Sequence, residues 1–128
     1  TFNNDGTKMY SSSNALRQYS LSAGFDISTA TYDNVNFDLS SQSHSAVDTY
    51  FNSDGTKMYI LFAGGEDDVH QYTLTTGFDI STASYDNVMF SVGSEETNPT
   101  AICISSDGTK MYSVGASNDT VYQYSTGL

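Results

Sequence analysis

The chain has 128 residues, 38% of them apolar and 13% aromatic, enough to bury the core of one ordinary domain. Its 15 acidic against 4 basic residues leave a net charge of −11, a field that repels phosphate and anionic headgroups and so argues against nucleic acid or a membrane as partner. No apolar run nears the roughly 18–20 residues of a membrane helix, and the single cysteine, Cys103, excludes an internal disulfide and reads as a small buried strand residue.

In chain order, Thr1–Asn4 reads as the tail of a strand, followed by Asp5-Gly6-Thr7-Lys8-Met9-Tyr10, a phrase that returns at Asp54–Tyr59 and Asp107–Tyr112. Asp-Gly between apolar runs signals a hairpin through a type I′ turn, whose positive φ values Asp and Gly tolerate. The phrase therefore turns the chain, and Lys-Met-Tyr opens a second strand. A polar stretch, Ser11–Asn14, leads to a third strand containing Gln18-Tyr19. Phe25–Ala30 reads as a capped connector with its Phe packed inward. Val35–Leu39 alternates apolar with polar residues as a half-buried fourth strand. After the variable run Ser40–Ser45 the pattern repeats: strands at 46–52, 57–63, 69–74 and 88–92, then at 99–105 and 120–125. Met58, Ile60 and Phe62 on one side and Tyr59 and Leu61 on the other mark a strand covered on both faces.

Asp54 to Asp107 spans 53 residues, and the same offset relates Phe25 to Phe78, Tyr32 to Tyr85 and Phe37 to Phe90. A period near 50 with four strands per unit predicts an all-β fold, a β-propeller of four-stranded antiparallel blades. The single segment 1–128 then holds blade one over about 1–39, blade two over about 46–92 and blade three over about 99–128, the first and last incomplete. Propellers close with about 4 to 8 blades. Faces such as Met58/Ile60/Phe62 or Tyr59/Leu61 are expected to lack a neighbour, and chains to associate, most simply as a two-fold homo-dimer completing a six-bladed ring.

The run SSDGTKMYSVGASNDTVYQYS at 105–125 resembles the turn, second strand and third strand of the YVTN and NHL-like propeller blade families. DGTKMY, QY and FDISTASYDNV together resemble tandem repeats of environmental, largely marine, bacterial and phage type. The resemblance covers nearly the whole chain and implies a blade architecture, with no activity attached. Trp is absent, so the Trp-Asp dipeptide of WD repeats is missing, and SSDGTKMY does not reproduce the Ser-x-Asp-x-Gly-x-Thr-Trp box of sialidase blades.

Residues shared by the copies are expected to serve the blade. Asp5, Asp54 and Asp107 with Gly6, Gly55 and Gly108 set the hairpin, each Asp accepting bonds from its own turn. Met9, Met58 and Met111 with Tyr10, Tyr59 and Tyr112 fill between blades, and Lys8, Lys57 and Lys110 flank the turn. Gln18, Gln71 and Gln123 need partners if buried and are placed to bridge neighbouring blades. The variable loops share one end of the ring and carry Glu66, Asp67, Asp68, Glu95, Glu96 and Asp119, with His44 and His70 nearby. With Tyr50 or Tyr72 this acidic face is the candidate site for a glycan or protein ligand. Weak Ca²⁺ binding stays open, although the bidentate Glu of an EF-hand loop is missing, and no other cofactor is expected. No motif brings a nucleophile, a His and an acid into register, nor three zinc ligands. The expected function is a non-catalytic binding or scaffold propeller, extracellular or virion-associated. The alternatives are a purely structural fragment, natural or engineered, of a larger surface or virion propeller and, more distantly, a lactonase- or glycosidase-like enzyme.

Overall fold

In the computed structural model, which describes residues 1–127, the strands form three antiparallel sheets of three, four and three strands. The first sheet holds β1 (Lys8–Ser12), β2 (Ala15–Leu21) and β3 (Ala30–Asp38). The second holds β4 (Ala46–Phe51), β5 (Lys57–Phe62), β6 (Asp68–Leu74) and β7 (Ala83–Ser91). The third holds β8 (Pro99–Ile104), β9 (Lys110–Gly115) and β10 (Val121–Ser125). Each sheet is a meander in chain order, and Phe2 bridges to Met9 where a leading strand of the first sheet would lie.

The hairpins differ from the two-residue turn expected of Asp-Gly. Asn52 and Lys57 pair across a four-residue loop, with Asn52 O accepting the Gly55 N–H at 3.1 Å and Lys57 O accepting the Asn52 N–H at 3.0 Å. Only the glycines take the left-handed backbone there, at φ +72 for Gly6 and Gly55 and +73 for Gly108. Asp54 is held out of that region because its Oδ1 accepts both the N–H (2.9 Å) and the hydroxyl (2.6 Å) of Thr56. At Asp107 three such bonds, the Ser105 hydroxyl first and then Thr109 N–H and hydroxyl, bring the carboxyl down to about 2.

The outer strands are longer than the alternation pattern suggests. Asp26 and Asp79 cap short 3-10 turns, Ile27–Thr29 and Ile80–Thr82, each accepting a backbone N–H from Ser28 or Ser81 at 3.0 Å. β3 and β7 then start at Ala30 and Ala83 instead of Val35 and Val88. A bulge at Gln18/Tyr19 and again at Gln71/Tyr72 shifts the register, so the period-two pattern breaks inside each outer strand.

Two apolar layers separate the three sheets. Tyr10, Leu16, Phe51, Met58, Ile60, Phe62, Tyr72 and Ile80 fill the first. Leu61, Val69, Val92, Ile102, Ile104 and Met111 fill the second, with Tyr50, Tyr59 and Tyr124 against them. Both faces of β5 are therefore covered, which corrects the expectation that Met58/Ile60/Phe62 or Tyr59/Leu61 lack a neighbour. The large exposed apolar side chains lie elsewhere: Phe25 and Ile27 in the β2–β3 connector, Tyr32 on β3, Val47 on β4, Val88, Met89 and Phe90 on β7, and Val121 on β10. Cys103 is also exposed, contrary to expectation, because β8 turns Ile102 and Ile104 inward and the residue between them outward.

A Cβ on Gly55 would stand 2.4 Å from the Phe78 ring, at a φ that L side chains rarely adopt. Gly55→Ala is expected to cost about 2–4 kcal/mol from backbone strain plus overpacking, read as a lowered urea midpoint with unchanged slope.

Candidate functional site

Side chains that recur between the copies meet in a polar network on the first and second sheets. Asp33 Oδ2 accepts from Lys8 Nζ (2.9 Å), Gln18 Nε2 (2.8 Å) and Ser20 Oγ (3.0 Å). On the second sheet Asp86 Oδ2 accepts from Lys57 Nζ (2.9 Å), Gln71 Nε2 (2.6 Å) and Thr73 Oγ1 (3.0 Å). Burial alone would raise both carboxyls, but the bonds from the Gln, Lys and hydroxyl, with the Lys charge, hold them below the usual carboxylate range.

The same network reaches the next sheet. Gln18 Oε1 accepts the backbone N–H of Ile80 at 3.1 Å, and the Tyr10 hydroxyl donates to Phe78 O at 2.5 Å. Gln18 thus bridges two sheets, while its Nε2 stays on Asp33. The Lys residues do more than flank a turn, and the two Asp were not singled out in the sequence. Asp33 and Asp86 lie 53 residues apart, as do Ser20 and Thr73, which was the available signal.

Between the second and third sheets the corresponding place is an open groove of about 300 Å³, bounded by Tyr59, Gln71, Phe90, Ile104, Met111 and Tyr124. No residue corresponding to Ile80 or Phe78 lies over it among the described residues, and β10 has no outer strand paired to it. Phe90 packs edge-on against Tyr124 at 5.1 Å as the equivalent Phe37 does against Tyr72 at 5.7 Å, but Phe90 is 47% exposed on the rim while Phe37 is half-buried.

The acidic loop residues divide between surface and interior. Glu66 and Asp119 are exposed and Glu95 is half-exposed. Glu96 is fully buried and braces two loops, its Oε1 accepting N–H from Asn98 (2.9 Å) and Ser117 (3.1 Å) and its Oε2 from Asn118 (3.2 Å). Burial would raise this carboxyl, and the three backbone donors outweigh it, so it stays ionised and below its ordinary range. Gly115 makes the seat possible, since a Cβ there would stand 2.4 Å from Glu96 Cδ. Asp67 and Asp68 are buried, Asp67 with φ +52 and its carbonyl accepting the Val92 N–H at 2.8 Å.

Tyr72 lies in the first apolar layer and Tyr50 turns to the third sheet, donating its hydroxyl to Ile104 O at 2.7 Å. The aromatic and acidic members of the candidate set therefore occupy separate places. Among the described residues no three His, Cys, Asp or Glu side chains converge as metal ligands would.

His70 is buried in the first layer, stacked on Tyr85 with ring centroids 5.3 Å apart and set edge-on to Phe62 at 4.9 Å. Its Nδ1 has no hydrogen-bond partner among the described residues, and its Nε2 stands 4.0 Å from Asp68 Oδ2. Burial pushes the imidazole below its ordinary value, against the opposing pull of Asp68 and Glu66.

No family model and no curated protein matches the chain. Among solved structures it is similar to a protein from Lactobacillus plantarum with a β-propeller-like fold, at TM-score 0.66 and 14% identity, covering 100% of this chain and 37% of that one. It is also similar to a functionally unknown protein from Desulfotomaculum acetoxidans, at TM-score 0.60 and 16% identity, covering 100% of this chain and 42% of that one. The chain therefore spans about two fifths of each structure it matches. Its all-β fold is β-propeller-like.

The His70 environment yields a pH dependence with a definite sign. The unfolded imidazole titrates near its ordinary value and the folded one lower, so the unfolded state binds the extra proton as pH falls. Thermal stability is expected to drop between about pH 7 and pH 5.5, and His70→Phe is expected to flatten that drop. Melting curves followed by circular dichroism check both.

Proposed function

We propose that the chain is a three-blade arc of a β-propeller that works as a non-catalytic binding scaffold, its ring completed by a second copy. The observation that supports this most is a contact made once within the chain and available again at its two outer faces. Tyr10 and Gln18 of one sheet grip Phe78 and Ile80 of the next. Tyr112 and Gln123 on the third sheet hold the repeat positions of Tyr10 and Gln18, and Phe25 and Ile27 on the first hold those of Phe78 and Ile80. Ile27 is 69% exposed where Ile80 is 0% exposed. The third sheet of one copy set against the first sheet of another repeats the contact. Two copies joined at both ends give six blades, within the usual range of about 4 to 8.

Recognition then falls to the variable loops. Glu96 and its backbone donors keep two of these loops rigid, which lowers the entropy lost when they bind. Glu66, Glu95 and Asp119 give the surface a negative charge suited to a glycan or a protein patch, in an extracellular or virion-associated setting. In the first and second sheets the polar residues common to the copies are occupied with one another, which favours a scaffold over a catalyst. A second reading, a structural stretch of a longer propeller polypeptide, is favoured by the chain's matching only 37% and 42% of its structural neighbours.

Light scattering on a sizing column, across a wide dilution range, is expected to give a species near twice 13.9 kDa, reduced to 13.9 kDa by Ile27→Asp. A 13.9 kDa particle at every concentration contradicts ring completion and favours the second reading.

A further inference from the structure

We infer that Asp68 and His70, buried together at the start of β6, form an acid-triggered latch: proton uptake by His70 frees that end of the strand, and the β5–β6 and β7–β8 loops loosen together while the three sheets stay folded. Blade architecture does not call for this pair. The matching positions hold Ala15 and Arg17 in the first sheet and Thr120 and Tyr122 in the third, yet the same strands form there. Two ionisable side chains only 7% and 6% exposed therefore carry a desolvation cost that the fold avoids elsewhere.

The neutral imidazole suits its place, stacked on Tyr85 and edge-on to Phe62. An imidazolium does not. It carries two N–H donors, but Nδ1 has no acceptor among the described residues, and Nε2 at 4.0 Å from Asp68 Oδ2 is too far for a hydrogen bond. The charged groups that act on it are Asp68 and the exposed Glu66. β4 and β5 turn uncharged side chains to this layer, Asp48 being directed to Ile102 of the third sheet. Tyr85 on β7, Tyr72 on β6 and Tyr10 from the first sheet are phenols, which bring no charge near neutral pH. Relief comes from closer approach of Asp68 or from water, and either requires the start of β6 to move.

That end of the strand is built to move. Gly64 and Gly65 precede it at φ +85 and +119, and a Cβ on Gly65 would meet nothing within 4 Å. Asp67 stands at φ +52 with its Oδ1 buried and unpartnered among the described residues, so opening would hydrate it as well. The Asp67 carbonyl accepts the Val92 N–H at 2.8 Å, and Val92 O accepts from Glu95 (3.1 Å) and Glu96 (2.9 Å). Glu96 in turn holds the N–H groups of Ser117 and Asn118. Contacts thus run unbroken from the imidazole to the loops assigned above to recognition. An opened form titrates at the ordinary imidazole value and the closed form lower, so falling pH through about 6.5 favours opening.

Amide exchange by NMR on the 128-residue protein, at about pH 7.5 and about pH 5.5, tests the latch. The protection factor of the Val92 amide is expected to fall at least roughly tenfold at the lower pH, with that of Met111 in β9 little changed. The chain has 2 His; His70→Phe is expected to abolish the fall and His44→Gln, on the exposed loop, to preserve it. If His70→Phe does not fold, His70→Gln, polar and uncharged, takes its place. Equal loss of protection at Val92 and Met111 would mean global destabilisation alone and would overturn the latch. So would an unchanged Val92 amide, or a fall that survives the loss of His70. The readout needs neither a ligand nor a ring, so failure of the binding or assembly reading leaves it unaffected.

Discussion

The structure depends on one side chain doing two jobs. The Gln18 amide binds Asp33 within its own sheet while its carbonyl oxygen accepts the Ile80 N–H of the next. A buried amide left half-satisfied is costly, about 1–3 kcal/mol per orphaned group. The bond therefore ties the first sheet to the connector of the second. The Tyr10 hydroxyl on Phe78 O acts beside it, and the Ile80 side chain is driven into the layer that these bonds frame. Sheets built this way are stable as neighbours and incomplete alone.

The Lys–Asp pairs beneath that contact are positional more than energetic. Lys8 and Lys57 side chains are about one third exposed, at 32% and 37%, so solvent and salt weaken their Coulomb attraction. Their value is geometric: each ammonium, with the Gln amide and a hydroxyl, fixes one carboxylate oxygen and so fixes the outer strand against the third. Loss of the Asp would leave a Lys and a Gln facing an emptied site, which is the usual reason such networks are kept whole.

Much of this was legible in the sequence. The period, the strand order, the two-sided burial of β5 and the bridging role of Gln18 all follow from spacing and alternation. The turn type was misread because Asp-Gly alone does not reveal that Thr56 captures the Asp54 side chain and moves the left-handed residue to Gly55. The outer strands were cut short because a bulge breaks the alternation that marks a strand. The acidic candidates were the least legible: Glu66 and Glu96 look alike in a polar loop, and only the backbone N–H groups converging on Glu96 decide that it is interior. Tyr72 was placed with the acidic face as a candidate ligand contact, but the register of β6 buries it between two sheets.

The Gln18 carbonyl holds the neighbouring sheet by the Ile80 amide. Amide hydrogen exchange by NMR tests it directly, comparing Ile80 in the wild type and in Gln18→Ala, with Met58 in β5 as an internal reference. The Ile80 amide is expected to exchange slowly in the wild type and at least roughly tenfold faster in the variant, while Met58 is little changed. Equal Ile80 exchange in the two proteins would contradict it.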